Sequence, residues 1–323
     1  MTSIHTNAGA ISALQTLRTI NASMLETQSR VSSGLRVRTA ENNAAYWAVA
    51  TTMRSDNMAL NAVSDALGVS DGIVNTAYAG MSSAIEVMHQ VKAKLVAAHE
   101  AGVDKTKINT ELDQLKDQLR SIASSASFAG QNWLHMTDPT DPLQNGVKSL
   151  PASFVRDPSG SVSISNIKFD MTAVFDTDQV FYLVSDGGCD GIITNSGFAT
   201  MQGYSQDWVL ISGENHGGHP EITLTDETTR EELAEMTVVV DLMTERMIKV
   251  ASMFGALSER IASSSAFVEK LTDSIETGIG RLVDADMDQE STRLKALETQ
   301  QQLGLQSLQI ANTSAEGIMT LFR

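Results

Sequence analysis

Cysteine is almost absent from this sequence of 323 residues, and the single Cys189 excludes an intramolecular disulfide. Aromatic residues make up only 5% of the chain and apolar residues 42%, so a core must rely on aliphatic packing. No stretch approaches about 18 consecutive apolar residues, which argues against a transmembrane helix. The N-terminus also lacks the basic start and apolar run of a secretory signal. Composition alone therefore favours a cytosolic protein.

Basic residues are scarce as well. The chain has 23 basic and 39 acidic residues, which gives a formal net charge of -16. Duplex nucleic acids and anionic membrane surfaces are bound through clusters of positive charge, and this composition does not supply them. The sequence therefore predicts neither a nucleic-acid partner nor a membrane partner.

Proline is confined to one part of the chain. All five prolines lie between Pro139 and Pro220, and proline breaks the interior of a helix. The range 139–232 instead shows alternation with a period of two residues, for example in Val162–Ile164, Val180–Val184 and Glu221–Thr225. This alternation is typical of short strands. We expect a small, acidic, β-rich domain inserted between two helical flanks.

The flanks show sustained spacing of three and four residues between apolar positions. Such spacing over several heptads predicts long helices packed side by side. The rows run from Leu60 to Leu95, from Ile108 to Ala126 and from Met236 to Ile275. The predicted fold is mainly α, a coiled-coil rod of long helices with the β-rich domain inserted in it.

Both ends of the chain carry similar apolar rows, from Ala10 to Leu35 and from Leu294 to Phe322. Chain ends usually fray unless something ties them down, so these rows require a partner. One interpretation is a helical hairpin that closes a single bundle. The other is an assembly surface, which we favour because polar residues interrupt both rows, as in interfaces that specify register: Asn21, Gln28 and Gln301.

Two groups of residues resemble metal sites, but both matches are poor. Asp284, Asp286 and Asp288 have the spacing of a calcium loop, yet its glycine and final glutamate positions hold Gln289 and Lys295. His216, His219 and Glu221 could ligate zinc, but they lie in a Gly-rich loop without a suitable fourth group. We predict no metal and no cofactor.

No motif supports an enzyme. Acidic neighbours would raise the pKa of the Cys189 thiol, and no histidine lies near it in sequence to act as a base. Gly278 and Gly280 are not followed by the third glycine of a dinucleotide-binding loop, since Val283 stands there. We therefore predict that the protein is not an enzyme.

Two segments, residues 28–54 and 278–323, resemble the terminal signatures of bacterial flagellins. The first contains the Arg-x-Ser-Ser-Gly-x-Arg pattern at Arg30, Ser32, Ser33, Gly34 and Arg36. The second contains Asp-Ala-Asp-Met at Asp284–Met287, followed by Glu290, Leu294 and a Gln-rich segment with Gly304. The stretch Asn42–Tyr46 differs from the common Asp-Asp-Ala-Ala-Gly. The Asn-Ala-Ala-Tyr-Trp variant at Asn43–Trp47 is similar to the rhizobial type, whose filaments are rigid and called complex.

The resemblance implies a division of the chain. Residues 1–40 and 282–323 would form the inner filament core, and residues 41–138 and 233–281 the helical rod outside it. Residues 139–232 would form the outer domain. The resemblance also implies uncleaved export through the flagellar type III apparatus, an export chaperone, and growth beneath a filament cap. The expected location is the extracellular filament.

The function implied is that of a structural subunit that polymerises, alone or with other flagellins, into the filament used for swimming motility. The alternative is a hook–filament junction protein, which shares the terminal helices. A cytosolic coiled-coil binding module and an enzyme built on the outer domain are further alternatives. The predicted subunit-interface residues are Leu14, Leu17, Met24, Arg30, Arg36, Leu294, Leu297, Leu308, Ile318 and Phe322.

Overall fold

The protein is mainly helical. The computed structural model describes residues 6–138, 140–141, 144, 146–171, 180–186, 191–204, 206–212 and 219–320, without the side chains of 314–320. The α-helices are α1 (Ala8–Ser33), α2 (Ala44–Ala97), α3 (Lys105–Ser125), α4 (Gly197–Thr200), α5 (Arg230–Val283) and α6 (Met287–Thr320). Helices account for 66% of the chain, which confirms the predicted fold class. Among the described residues, no helix combines the length and apolarity that crossing a membrane would need.

The chain divides into two compact units. The first contains residues 1–58 and 271–323, and the second contains residues 59–270. The predicted apolar rows of both flanks lie within helices, because α2, α3 and α5 contain them almost entirely. The two terminal rows likewise fall largely in α1 and α6.

Local sequence explains where several helices begin and end. Asn7 caps α1, since its Oδ1 accepts a hydrogen bond from the amide of Ala10 at 3.0 Å. Gly34 ends that helix in a left-handed conformation with φ of 70°, which glycine adopts at little cost. At the start of α5, Thr229 and Glu232 form a reciprocal capping box through their side chains and amides.

In the second unit, α2 lies antiparallel to α5 and also contacts α3. Lys92 of α2 pairs with Asp241 of α5 at 2.5 Å, and Lys94 of α2 pairs with Glu111 of α3. The facing sides are aliphatic and rich in methionine, whose flexible thioether fills gaps between long helices. The fully buried side chains along these helices include Leu60, Leu67, Met81, Met88, Leu95, Leu112, Leu119, Met243, Met247 and Phe254.

The strands are few and short. They are β1 (Ser127–Phe128), β2 (Gln131–Asn132), β3 (His135–Met136), β4 (Val147–Arg156), β5 (Val162–Asp170) and β6 (Val184–Ser185). β1 pairs with β2 and β4 with β5 in antiparallel fashion, whereas β3 and β6 are parallel.

The alternation at Val162–Ile164 correctly predicted a strand, because it lies in β5. The alternation at Val180–Val184 predicted a strand of which only Val184 is part. At Glu221–Thr225 the structure has only an isolated bridge between Glu221 and Val209. In these places the backbone forms only isolated hydrogen bonds with other segments, such as Leu183 N to the Leu134 carbonyl and Ile222 N to the Val209 carbonyl, so no extended ladder forms.

An aromatic cluster packs the inserted residues onto the helices of the second unit. Trp133 stacks on Phe169 with ring centroids 6.0 Å apart, and Phe254 of α5 contacts both rings. Arg246, also on α5, donates its Nε to the carbonyl of Val180 at 2.7 Å. The insert therefore shares its core with the helical flanks.

Candidate assembly surface

The terminal helices α1 and α6 lie against each other as an antiparallel pair within the first unit. Three polar contacts along the pair join Asn7 Nδ2 to the Ala311 carbonyl at 2.9 Å, Gln301 Nε2 to Asn21 Oδ1 at 2.7 Å, and Arg30 Nη1 to Glu290 Oε1 at 3.2 Å. Polar side chains on an otherwise apolar seam favour one register over its neighbours. Asn21 and Gln301, two of the three polar residues that interrupt the terminal apolar rows, thus pair with each other and help to fix the register of the helices.

The middle of the pair depends on a close approach at Gly304. A Cβ atom at this position would lie 2.8 Å from Cδ2 of Leu17, closer than carbon atoms approach without displacement. Leu17 is 7% exposed and Leu297 is 9% exposed, so both are already buried in a single chain. The two helices therefore form part of their own apolar seam without a second copy.

An ion pair joins the helices near their connection to the rest of the unit. Arg30 contacts Glu290 at 3.2 Å and Glu26 at 2.5 Å. The Glu290 side chain is 9% exposed, and that of Arg30 is 24% exposed. Within the described residues, Glu290 Oε2 and Arg30 Nε are buried without a hydrogen-bond partner.

The segment after α1 is held by backbone contacts to the end of α5 and the start of α6. The amide of Arg36 donates to the Val283 carbonyl at 2.7 Å, and its Nη2 donates to the Leu282 carbonyl at 3.0 Å. The amide of Ala285 donates to the Gly34 carbonyl at 2.9 Å. A small buried cluster supports this junction and consists of Val37, Ala50, Ile279 and Val283.

Many apolar side chains of the terminal helices remain exposed after this pairing. Exposed large apolar side chains often mark binding surfaces. Those of α6 lie on both sides of its buried row, because Leu303 and Leu305 are about 200° apart around the helix. We call the following set the assembly surface: Ile11 (57% exposed), Leu14 (44%), Leu25 (64%), Leu303 (59%), Leu305 (54%) and Ile310 (69%). Of these six, only Leu14 was among the predicted interface residues.

The other predicted interface residues have varied positions. Met24, Leu294 and Leu308 are half-buried in the single chain. Arg30 and Arg36 make the intrachain contacts described above, and any contact with another copy stays a prediction. The Ile318 side chain and Phe322 lie outside the described residues. The predicted apolar rows did not include five of the exposed residues, because these positions lie beside the residues that the two helices bury against each other. A search for apolar residues outside the predicted rows would have found them.

The residues that resembled metal sites either have structural roles or lie outside the residues that the structure describes. Asp286 caps α6, because its Oδ1 accepts hydrogen bonds from the amides of Asp288 and Gln289, each at 3.1 Å. His219 Nδ1 lies 3.9 Å from Oδ2 of Asp207, while His216 and Cys189 are outside the described residues. In the part of the chain that the structure describes, no group of three or more potential ligands could hold a metal ion.

Comparisons with known proteins agree with these features. The family model for the bacterial flagellin N-terminal helical region matches residues 4–138, and that for the C-terminal helical region matches residues 237–322. Flagellin C of Rhizobium meliloti (strain 1021) is 49% identical and flagellin D of Rhizobium meliloti is 44% identical, each over 100% of both chains. A flagellin of Brucella melitensis biotype 1 is 40% identical, also over 100% of both chains.

Among solved structures, the crystal structure of Bacillus cereus flagellin aligns with 64% of this chain and 88% of that chain. The sequence identity is 16% and the TM-score is 0.38, which is too low a similarity to bear on the fold. The similarity to the named flagellins therefore rests on sequence identity over the full length of the chain. The similarity to the two helical regions rests on the family models.

Proposed function

This chain belongs to the bacterial flagellin family and is a structural subunit of the flagellar filament, and we propose that it joins its neighbours there through the assembly surface of α1 and α6. Nothing in the comparisons favours a hook–filament junction protein. The observation that supports the proposal is the set of six large apolar side chains that stay exposed after the terminal helices have paired.

The physical argument is one of incomplete burial. Leu17 and Leu297 are already buried and fix how α1 and α6 lie together. The side chains beside them remain in water, where each large aliphatic group loses about 1.5–3 kcal/mol relative to full burial. A second copy that covers them gains that free energy. Contacts of this head-to-tail kind that do not close into a ring extend into a helical polymer.

We further propose the division of roles that the family resemblance implies. Residues 1–40 and 282–323 form the inner core, residues 41–138 and 233–281 the surrounding helical rod, and residues 139–232 the outward domain. The net charge of -10 on the last range suits a solvated surface.

The same proposal covers the route to the filament and the final location. The chain is exported uncleaved by the flagellar export apparatus with an export chaperone, is added beneath the cap, and resides outside the cell. The filament is of the rigid complex type, because Asn43–Trp47 is similar to the rhizobial pattern. Flagellins are structural proteins, and we propose no catalytic activity, cofactor, nucleic-acid partner or membrane partner for this one.

Substitution on the assembly surface tests the proposed interface. A Leu14→Asp/Leu305→Asp variant should raise the critical concentration for seeded filament growth by about 100-fold, since two leucines lose about 3 kcal/mol or more of burial. Pelleting and electron microscopy of seeded samples measure this.

A matched variant, Gln15→Asp/Gln302→Asp, adds the same charge at exposed polar positions of the same helices. It should assemble at nearly the wild-type concentration. Normal filaments from the leucine variant would overturn the proposed interface, as would equal loss of assembly in both variants.

A further inference from the structure

The β4–β5 hairpin has an unusual distribution of side chains. A hairpin on a core normally buries apolar residues on one face and exposes polar residues on the other. Its buried face is ordinary near the base: Leu150 is 6% exposed, Ile167 is 1% exposed, and Phe169 stacks on Trp133. Towards the tip, this same face carries Ser163, Ser165 and Val155, which is 48% exposed.

The opposite face of the hairpin carries several exposed apolar and basic side chains, together with the exposed Ser149, Asn166 and Asp170. Val162 is 55% exposed and Ile164 is 58% exposed, and the register places them across from Arg156 and Phe154 respectively. Lys168 is exposed on the same side of β5, four residues closer to the base of the hairpin than Ile164. We call this set the hairpin face: Val147, Phe154, Arg156, Val162, Ile164 and Lys168.

The hairpin also differs in charge from the rest of the insert. Residues 147–170 contain three basic and two acidic residues, for a net charge of +1. Residues 171–229 contain nine acidic residues and neither lysine nor arginine, for a net charge of -9. Opposite charge has thus been segregated between two neighbouring parts of one domain. Such complementary surfaces favour and orient association between molecules.

Both long strands of the hairpin have a free edge. Among the described residues, β4 and β5 pair only with each other. An unpaired strand of nine or ten residues offers a row of backbone donors and acceptors to another molecule. Two-stranded hairpins are only marginally stable alone, so contact with a partner would stabilise the exposed end of this one.

We propose that the hairpin face binds exposed carboxylates among the described residues of 180–229 on a second copy of this chain in the filament. The inference rests on the proposed function, since a homopolymer repeats both surfaces in every subunit. Exposed carboxylates in this described part include Asp186 and Asp207, whose side chains are 44% and 46% exposed, and Asp226 and Glu227. Within the chain, Asp186 pairs with His135 and Asp207 accepts a hydrogen bond from Thr200, so a second copy would reach their remaining exposed oxygens.

A second copy fits better than an anionic surface of another kind. Anionic lipid surfaces are bound through clusters of several lysine and arginine residues. Only Arg156 and Lys168 offer cationic groups on the hairpin face. Two cations beside an apolar patch can pair with a few carboxylates on a folded protein surface.

Zero-length cross-linking identifies the partner. Filaments assembled from mixed ¹⁴N- and ¹⁵N-labelled chains are treated with a carbodiimide, which joins a lysine amine to a carboxylate as an amide with loss of water. We expect mass spectrometry to find Lys168 joined to an acid within 180–229, with one labelled and one unlabelled peptide. Normal filaments in which Lys168 links only within its own chain, or to acids outside 180–229, overturn the proposal and leave the assembly role intact.

A pair of matched variants tests the energetic contribution. Val162→Asp/Ile164→Asp alters the hairpin face, whereas Ser163→Asp/Ser165→Asp adds the same charge to the opposite face of the same strand. Both variants should still form filaments through the terminal helices. Calorimetry should show filaments of the first variant dissociating several degrees below wild type, with the second variant close to wild type. Equal dissociation temperatures for the two variants contradict the proposal.

Circular dichroism of the unpolymerised variants separates this effect from misfolding. If the first variant unfolds early as a monomer, Lys168→Gln provides the second test, because an exposed amide replaces an exposed amine. Filaments of Lys168→Gln should lose part of the salt sensitivity of wild-type filament dissociation, since screening weakens only charged contacts. Unchanged salt sensitivity would count against the charged contact.

Discussion

Arg30 and Glu290 show how one buried pair affects the terminal helices. Removing charges from water is costly, and an ion pair recovers this cost only when hydrogen bonds satisfy both groups. Here Glu290 Oε2 and Arg30 Nε have no hydrogen-bond partner within the described residues. We therefore infer that the ion pair mainly fixes the register of α1 against α6 and adds little to the stability of the helix pair. Removing one partner should still be harmful, because the other charge then stays buried.

The residue-scale prediction concerns Glu290→Ala. Arg30 keeps Glu26 as a second partner and is partly exposed, so the loss should be about 1–2 kcal/mol, below the range for a fully buried pair. Hydrogen exchange of α1 amides in assembled filaments should become about tenfold faster. Glu298→Ala, at an exposed position of the same helix, serves as the control and should leave exchange unchanged.

At the scale of the helix pair, packing at Gly304 decides how closely α1 and α6 approach. Glycine inside a helix costs about 1 kcal/mol relative to alanine. Its presence is explained by Leu17, whose Cδ2 occupies the space that a Cβ would need. Gly304 thus lowers helix propensity but allows close packing of the two helices, and this packing keeps Leu17 buried.

A double-mutant cycle tests this packing. Gly304→Val should lower the dissociation temperature of filaments, with a loss of about 1–3 kcal/mol from overpacking. Leu17→Ala removes the colliding methyl groups, so the double variant should be less destabilised than the sum of the two single variants by about 1 kcal/mol. Additive effects would show that Gly304 and Leu17 do not act on each other.

Helices and strands differed in how well their sequence patterns predicted them. The row from Met236 to Ile275 repeats its spacing over many turns, and α5 contains all of it. A strand of two residues, such as β6, has no periodic signal and exists because it pairs with β3 across about 50 residues of sequence. Its partner cannot be read from local spacing, so the short strands were missed or misplaced.

At the scale of the whole chain, the inserted residues are integrated with the helical flanks of the second unit. Lys116 of α3 is 4% exposed and donates to Glu221 Oε1 at 2.9 Å and to the Ile222 carbonyl at 2.6 Å. Trp133 and Phe254 are buried against rings of the insert. The sequence pattern predicted a β-rich domain inserted between the helical flanks, and these contacts argue against its complete removal.

Deletions of two sizes test this point. Replacing residues 139–232 with a short Gly/Ser linker should destabilise the remaining helices by about 4 kcal/mol, because Trp133 and Phe254 become exposed. Replacing only the hairpin tip, residues 153–165, should leave monomer stability within about 0.5 kcal/mol of wild type. Urea unfolding followed by circular dichroism measures both. Equal stability of the larger deletion and wild type would show that the insert is independent of the flanks.

The sequence by itself determined the long helices, the position of the insert and the family, because periodic rows and contiguous motifs are local properties of the chain. It also located the terminal seams through Leu17 and Leu297. Only the tertiary structure decided which apolar residues remain exposed, since α1 and α6 bury one side of each seam against each other and leave residues such as Ile310 in water. It likewise decided that the hairpin turns Val162 and Ile164 outwards. Exposure depends on which elements meet, and spacing within one segment does not contain that information.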